Sequence, residues 1–147
     1  MATMVASMAL SGVQPRGHHV GVQSVTSVYS LTATLSAGDI IQMCKLPDNA
    51  RVTGCWLGWN VSLGAGGQLN VGTDADADKF IMSASGATAG LQTLNNPAFW
   101  MVNDVSDAAA TRYTTVNVQA AGTISGTKSG AISLTIAYTT DQPTETT

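Results

Sequence analysis

Arg51-Val52-Thr53-Gly54-Cys55-Trp56-Leu57-Gly58-Trp59-Asn60-Val61-Ser62-Leu63 places Cys55, Leu57, Trp59, Val61 and Leu63 on one parity and Gly54, Trp56, Gly58, Asn60 and Ser62 on the other. Side chains alternate across a β-strand, so this is the pattern of a strand with one buried face. The first set is expected to face a core. Trp56 is then left outside among glycines and small polar residues. A lone large aromatic in that position covers a second layer or meets a partner.

The same period recurs upstream, where Val25, Ser27, Tyr29, Leu31, Ala33 and Leu35 alternate with Thr26, Val28, Ser30, Thr32 and Thr34. Ser36-Ala37-Gly38-Asp39 turns the chain into a short strand carrying Ile40, Ile41, Met43 and Leu46, which Pro47-Asp48-Asn49 closes. Downstream, Leu63-Gly64-Ala65-Gly66-Gly67 reads as a turn into a strand over Leu69 to Gly72, followed by the acidic loop Asp74-Ala75-Asp76-Ala77-Asp78. Phe80, Ile81 and Met82 read as strand, Ser83 to Asn96 as a long loop, and Phe99 to Val102 as strand again. The run Ala108-Ala109-Ala110 suits one helical turn. Tyr113 to Ala121 and Ala131 to Thr140, with Ile132, Leu134, Ile136 and Tyr138 in strict alternation, read as a closing antiparallel hairpin.

About seven or eight short strands with frequent turn signals and almost no helical period predict an all-β fold, an antiparallel β-sandwich or jelly roll. Residues 1–20 show neither period and read as an N-terminal arm, 21–140 as the sandwich domain, and 141–147, with Pro143 and no apolar residue, as a solvated tail. The 147 residues are 44% hydrophobic and only 10% charged, with six Lys and Arg against nine Asp and Glu. That composition folds, since disorder requires low hydrophobicity and high net charge. It carries no basic field for phosphates or an anionic bilayer, so neither nucleic acid nor a membrane is an expected partner. Met1 to Val13 resembles the apolar part of a signal peptide, but the first basic residue, Arg16, comes after it, so secretion by that route is not expected.

Catalysis needs a nucleophile with a base, tuned carboxylates, or a metal with an open position, and the sequence offers no such constellation. No enzyme activity and no cofactor are therefore expected. His18 and His19 are adjacent on the arm, where no rigid scaffold holds a base in register. Asp74, Asp76 and Asp78 match the first spacings of a calcium loop, but Lys79 stands at its glycine position and Ser85 at its bidentate Glu position. A charged, exposed hairpin loop is the simpler reading. Gly64, Gly66 and Gly67 lack the following Lys-Ser/Thr of a phosphate cradle. Cys44 and Cys55 fall on consecutive strands, compatible with a cross-strand disulfide or with two buried free thiols.

The block from Leu35 to Met82 resembles the small head decoration, or cement, proteins of tailed bacteriophages. The resemblance is carried by Ser36-Ala37-Gly38-Asp39-Ile40-Ile41-Gln42-Met43-Cys44-Lys45-Leu46-Pro47, by Ala50-Arg51-Val52, by Leu69-Asn70-Val71-Gly72-Thr73 and by Asp76-Ala77-Asp78-Lys79-Phe80-Ile81. These are turn and strand residues, so their specificity is structural. The resemblance implies a virion protein, assembled in the host cytoplasm, that binds the outer surface of the capsid and bridges major capsid protein subunits, with no catalytic residue to carry over.

The arm and the outward aromatic fit that role. Met4, Val5, Arg16, His18, His19 and Trp56 are the expected partner contacts, and a homo-oligomer, dimer or trimer, is the expected state. The competing reading is a carbohydrate- or receptor-binding sandwich of a phage tail or fibre, in which Trp56 and Trp100 stack on sugar rings.

Overall fold

The computed structural model describes residues 2–6, 22–47, 50–96, 113–124 and 129–140. Nine strands follow in order: β1 (Thr3–Val5), β2 (Gln23–Leu31), β3 (Ile40–Pro47), β4 (Ala50–Trp59), β5 (Gln68–Thr73), β6 (Ile81–Ser85), β7 (Gly90–Thr93), β8 (Tyr113–Ala120) and β9 (Gly130–Thr140). They form two sheets, β1-β3-β8-β5-β6 and β2-β9-β4-β7, and the described residues contain no helix.

The pairs β2·β9, β3·β8, β4·β7 and β5·β6 are all antiparallel. Strands two to five therefore pair in reverse order with six to nine, as in one long hairpin rolled up on itself. Completed by the antiparallel pairs β4·β9 and β5·β8, this is a jelly-roll sandwich, the expected fold class. The final hairpin is a correction: β8 and β9 lie in opposite sheets and do not pair with each other. Rolling gives each of them a partner from the first half of the chain.

The inner faces are the alternating apolar positions. Val25 and Leu31 of β2, Cys55, Leu57 and Trp59 of β4, and Ile132, Leu134, Ile136 and Tyr138 of β9 are buried against Met43, Leu46, Leu69, Val71, Val116 and Val118 of the other sheet. Truncating such a residue to Ala typically costs about 2–5 kcal/mol, so this layer is the main source of stability. One end is closed by Leu63 and by Leu35, the latter through an isolated bridge to Ile124. Cys44 and Cys55 are free, buried thiols, one on each sheet. Sequence neighbours though their strands are, they face each other's layer instead of pairing within one.

Two expected loops prove to be strands. Thr3–Val5, assigned to the arm, adds β1 in parallel to β3, with Ala6 N–H donating to Gln42 O at 2.7 Å and Ile40 N–H to Ala2 O at 2.9 Å. Within the predicted loop 83–96, β6 continues to Ser85 and β7 pairs with β4. Both are edge strands with few buried side chains, which is why their period is weak. The strand read over Arg51 to Leu63 ends at Trp59. The strand expected at Phe99 to Val102 and the helical turn at Ala108 to Ala110 lie outside the described residues.

Candidate interaction surface

The outer face of the β2-β9-β4-β7 sheet is built by the residues left over once the alternate ones are buried. Register places Thr26, Thr135, Trp56 and Thr93 in one row across the four strands and Val28, Ser133, Gly58 and Leu91 in the next. Ser24, Ala137 and Gly54 form a third row. None of these is charged; the nearest charged side chain in register is Arg51, opposite Thr139 at the end of the sheet. Thr26 and Thr135 join their hydroxyls at 2.9 Å, tying the row together.

Trp56 stands on this face with 42% of its surface exposed, as its parity predicts. Its indole lies over Gly54, where a Cβ would come 2.8 Å from Cζ3. Glycine at 54 is therefore what lets the ring lie down on the sheet instead of standing off it. Two apolar neighbours in the next row, Val28 at 47% and Leu91 at 65% exposure, extend the apolar part of the face. Trp59, on the opposite parity, is buried and donates its indole N–H to Thr88 O at 2.7 Å, which anchors the loop entering β7.

The other predicted contact residues are distributed differently. Met4 packs against the core, whereas Val5 points outward from β1. Both belong to the opposite sheet from Trp56, so the structure does not gather them into one patch. Arg16, His18, His19 and Trp100 lie outside the described residues. Val28 and Leu91 were not singled out in the sequence: Val28 is one of many small outer-face positions, and Leu91 sits in a stretch with no usable period.

The acidic loop joins β5 to β6 and folds back over the outer face of its own sheet. Gly72 lies directly beneath the backbone of Asp76 and Ala77, leaving no room for a side chain. Asp74 accepts a hydrogen bond from Asn117 Nδ2 at 2.6 Å, and Asp76 N–H donates to Thr73 Oγ1 at 3.3 Å. The carboxyl of Asp78 is held above its ordinary pKa, first by a hydrogen bond with the Asp76 carboxyl and then by burial and the charge of Asp76. Among the described residues, no three His, Cys, Asp or Glu side chains come together as metal ligands. The thiols of Cys44 and Cys55 are both pushed up to about 12 by burial, Cys55 also by its proximity to Cys44, so neither is a nucleophile near neutral pH.

No protein-family model matches this chain, and no curated protein matches it in sequence. Solved structures do resemble it in fold. A chain from the capsid of Ralstonia phage GP4 superposes with a TM-score of 0.76 at 21% identity, covering 96% of this chain and 99% of that one. A chain from the capsid asymmetric unit of cyanophage Pam1 superposes with a TM-score of 0.66 at 21% identity, covering 88% and 93%. At this level of identity the likeness establishes a shared fold over nearly the whole length.

Proposed function

We propose that this chain is a structural protein of a phage head, a decoration or cement protein that sits on the outer surface of the shell and bridges neighbouring major capsid subunits. The observation that carries this reading is the end-to-end match of the jelly roll to a chain of comparable length in a phage capsid. The uncharged outer face supports it, because a surface of Ser, Thr, Gly and Ala with an apolar centre can be desolvated without leaving unpaired charges. Trp56 is its anchor, in keeping with the enrichment of tryptophan at the centres of interfaces. Binding occurs without turnover, without a cofactor and without nucleic acid. No described helix is long and apolar enough to cross a membrane.

Purified shells lacking the protein, re-decorated with wild type and with Trp56→Ala, test this reading. Wild-type chain is expected to restore full occupancy and to raise the temperature at which shells rupture; Trp56→Ala is expected to need at least about tenfold more protein, a loss typical of an interface anchor. Failure of the wild-type chain to bind shells removes the proposal. The exposed indole also favours a second reading, a glycan-stacking site of a tail or fibre protein. Quenching of Trp fluorescence by glycans, absent in Trp56→Ala, distinguishes it.

A further inference from the structure

We propose that two copies of this chain join edge to edge through β2, antiparallel about a two-fold axis at Ser27, so that their β2-β9-β4-β7 sheets become one continuous eight-stranded sheet. This specifies the homo-oligomer within the shell-protein reading and rests on that reading only for its biological setting.

The argument begins with how each sheet edge is managed. A free edge strand offers unpaired N–H and C=O groups to any other chain, and proteins block such edges with charge, proline, bulges or short length. At β6, the side chain of Asn95 does this: Met82 N–H donates to Asn95 Oδ1 at 2.8 Å, and Asn95 Nδ2 donates to Met82 O at 2.9 Å. The next residue, Ser83, is in the left-handed region with φ 51 and donates its N–H to Asn70 Oδ1. β7 has only four residues. β1 has three, and the part of β3 that it leaves uncovered carries a bulge, Lys45 and Pro47.

β2 has none of these devices. It is nine residues long, pairs with β9 without a register shift, contains no charged residue and no proline, and among the described residues has no strand on its other side. An antiparallel edge of this length presents about four N–H and four C=O groups outward. Two like copies can approach it without charge repulsion.

Ser27 fixes the register. It is 2% exposed, on the inner face of the strand, and its Oγ has no hydrogen-bond partner. With the two-fold axis at Ser27, each Ser27 lies directly opposite Ser27 of the second copy, close enough for one hydroxyl to donate to the other. On the outer face, Thr26 then meets Val28 of the second copy and Ser24 meets Ser30. These are matched, uncharged pairs, and the exposed Val28 is covered.

The test uses purified full chain without shells. Wild type is expected to sediment as a dimer at micromolar concentration, and Thr26→Lys/Val28→Lys, which places four lysines around the axis on exposed positions, as a monomer with an unchanged β-sheet spectrum. Ser27→Cys treated with oxidised glutathione is expected to give a disulfide-linked dimer in non-reducing electrophoresis, while wild type, whose cysteines are buried, does not. A monomer or trimer in wild type, a lysine variant that remains dimeric, or absence of the Ser27→Cys cross-link each overturns the inference. A monomer that still decorates shells overturns this inference alone, and a dimer that ignores shells overturns the shell reading alone.

Discussion

Asp39 holds Ala2 to the start of β3: one carboxylate oxygen accepts the Ala2 N–H at 2.8 Å and the other accepts the Ser36 N–H at 2.8 Å. The same residue therefore shapes the turn before β3 and fastens the N-terminal strand beside it. Its own backbone carbonyl accepts from Ala120 N–H, which secures the turn to β8.

Both donors favour the ionised form, so they hold the Asp39 carboxyl below its ordinary pKa, the Ala2 bond contributing most. The stabilisation is thus complete above the unfolded carboxylate range near about 4 and is lost as pH falls through the lower folded value. The protection of the Thr3 to Ala6 amides, corrected for the intrinsic pH dependence of exchange, is expected to fall in acid and in Asp39→Asn at neutral pH, with β9 unaffected. Unchanged protection of β1 in the variant would contradict the clamp.

Gly54 and Trp56 are expected to be energetically coupled. Gly54→Val drives branched carbons into the indole and should cost about 1–3 kcal/mol, the range for overpacking. In a Trp56→Ala background most of that cost should vanish, giving a coupling energy of about 1 kcal/mol or more in a double-mutant cycle. Denaturant unfolding of the four proteins measures it, and strict additivity would mean that the ring does not rest on the glycine.

The two thiols should be silent until the sandwich opens. With both pKa values pushed up to about 12, the folded protein holds only on the order of one thiolate in ten thousand at pH 8, and burial blocks the reagent as well. An aromatic disulfide reagent is expected to label neither cysteine in native buffer and both in denaturant. Because the unfolded thiols ionise near about 8.5 and the folded ones far higher, stability should decline as pH rises from about 9 towards 12. Rapid native labelling of either thiol would refute this.

Asn95 should matter more for solubility than its exposed position suggests. Asn95→Ala removes two hydrogen bonds from Met82 and is expected to cost about 1–2 kcal/mol. It also bares the β6 edge, so thermally stressed protein should aggregate sooner, measured by light scattering. A variant as soluble and stable as wild type would show that Asn95 does not guard the edge.

The sequence made the faces of the long strands legible. Cys55, Leu57 and Trp59 point inward and Trp56 outward, as their parity requires, and Ile132 to Tyr138 repeat the agreement on β9. It was silent where burial is slight. Gly90-Leu91-Gln92-Thr93 has one apolar side chain, and that one is exposed, so β7 left no alternation to read. Met4 and Val5 read as arm because a three-residue strand is shorter than any window in which a period can be seen. How the expected contact residues lie relative to one another was not legible for a related reason: parity says which side of its own strand a residue faces, whereas Met4 and Trp56 share neither strand nor sheet.

By itself, then, the order of residues determined that this is a two-faced β protein and which side chains each strand buries, because a period of two is enforced locally by the pleat and by the removal of apolar surface from water. Only the tertiary structure decided that β8 and β9 separate into different sheets, that Asp39 captures Ala2, that Gly54 lies under Trp56, and that β2 stands at the edge of its sheet among the described residues. Those relationships join residues distant along the chain or pack side chains in three dimensions, and they are selected by how the whole hairpin rolls, which no local pattern encodes.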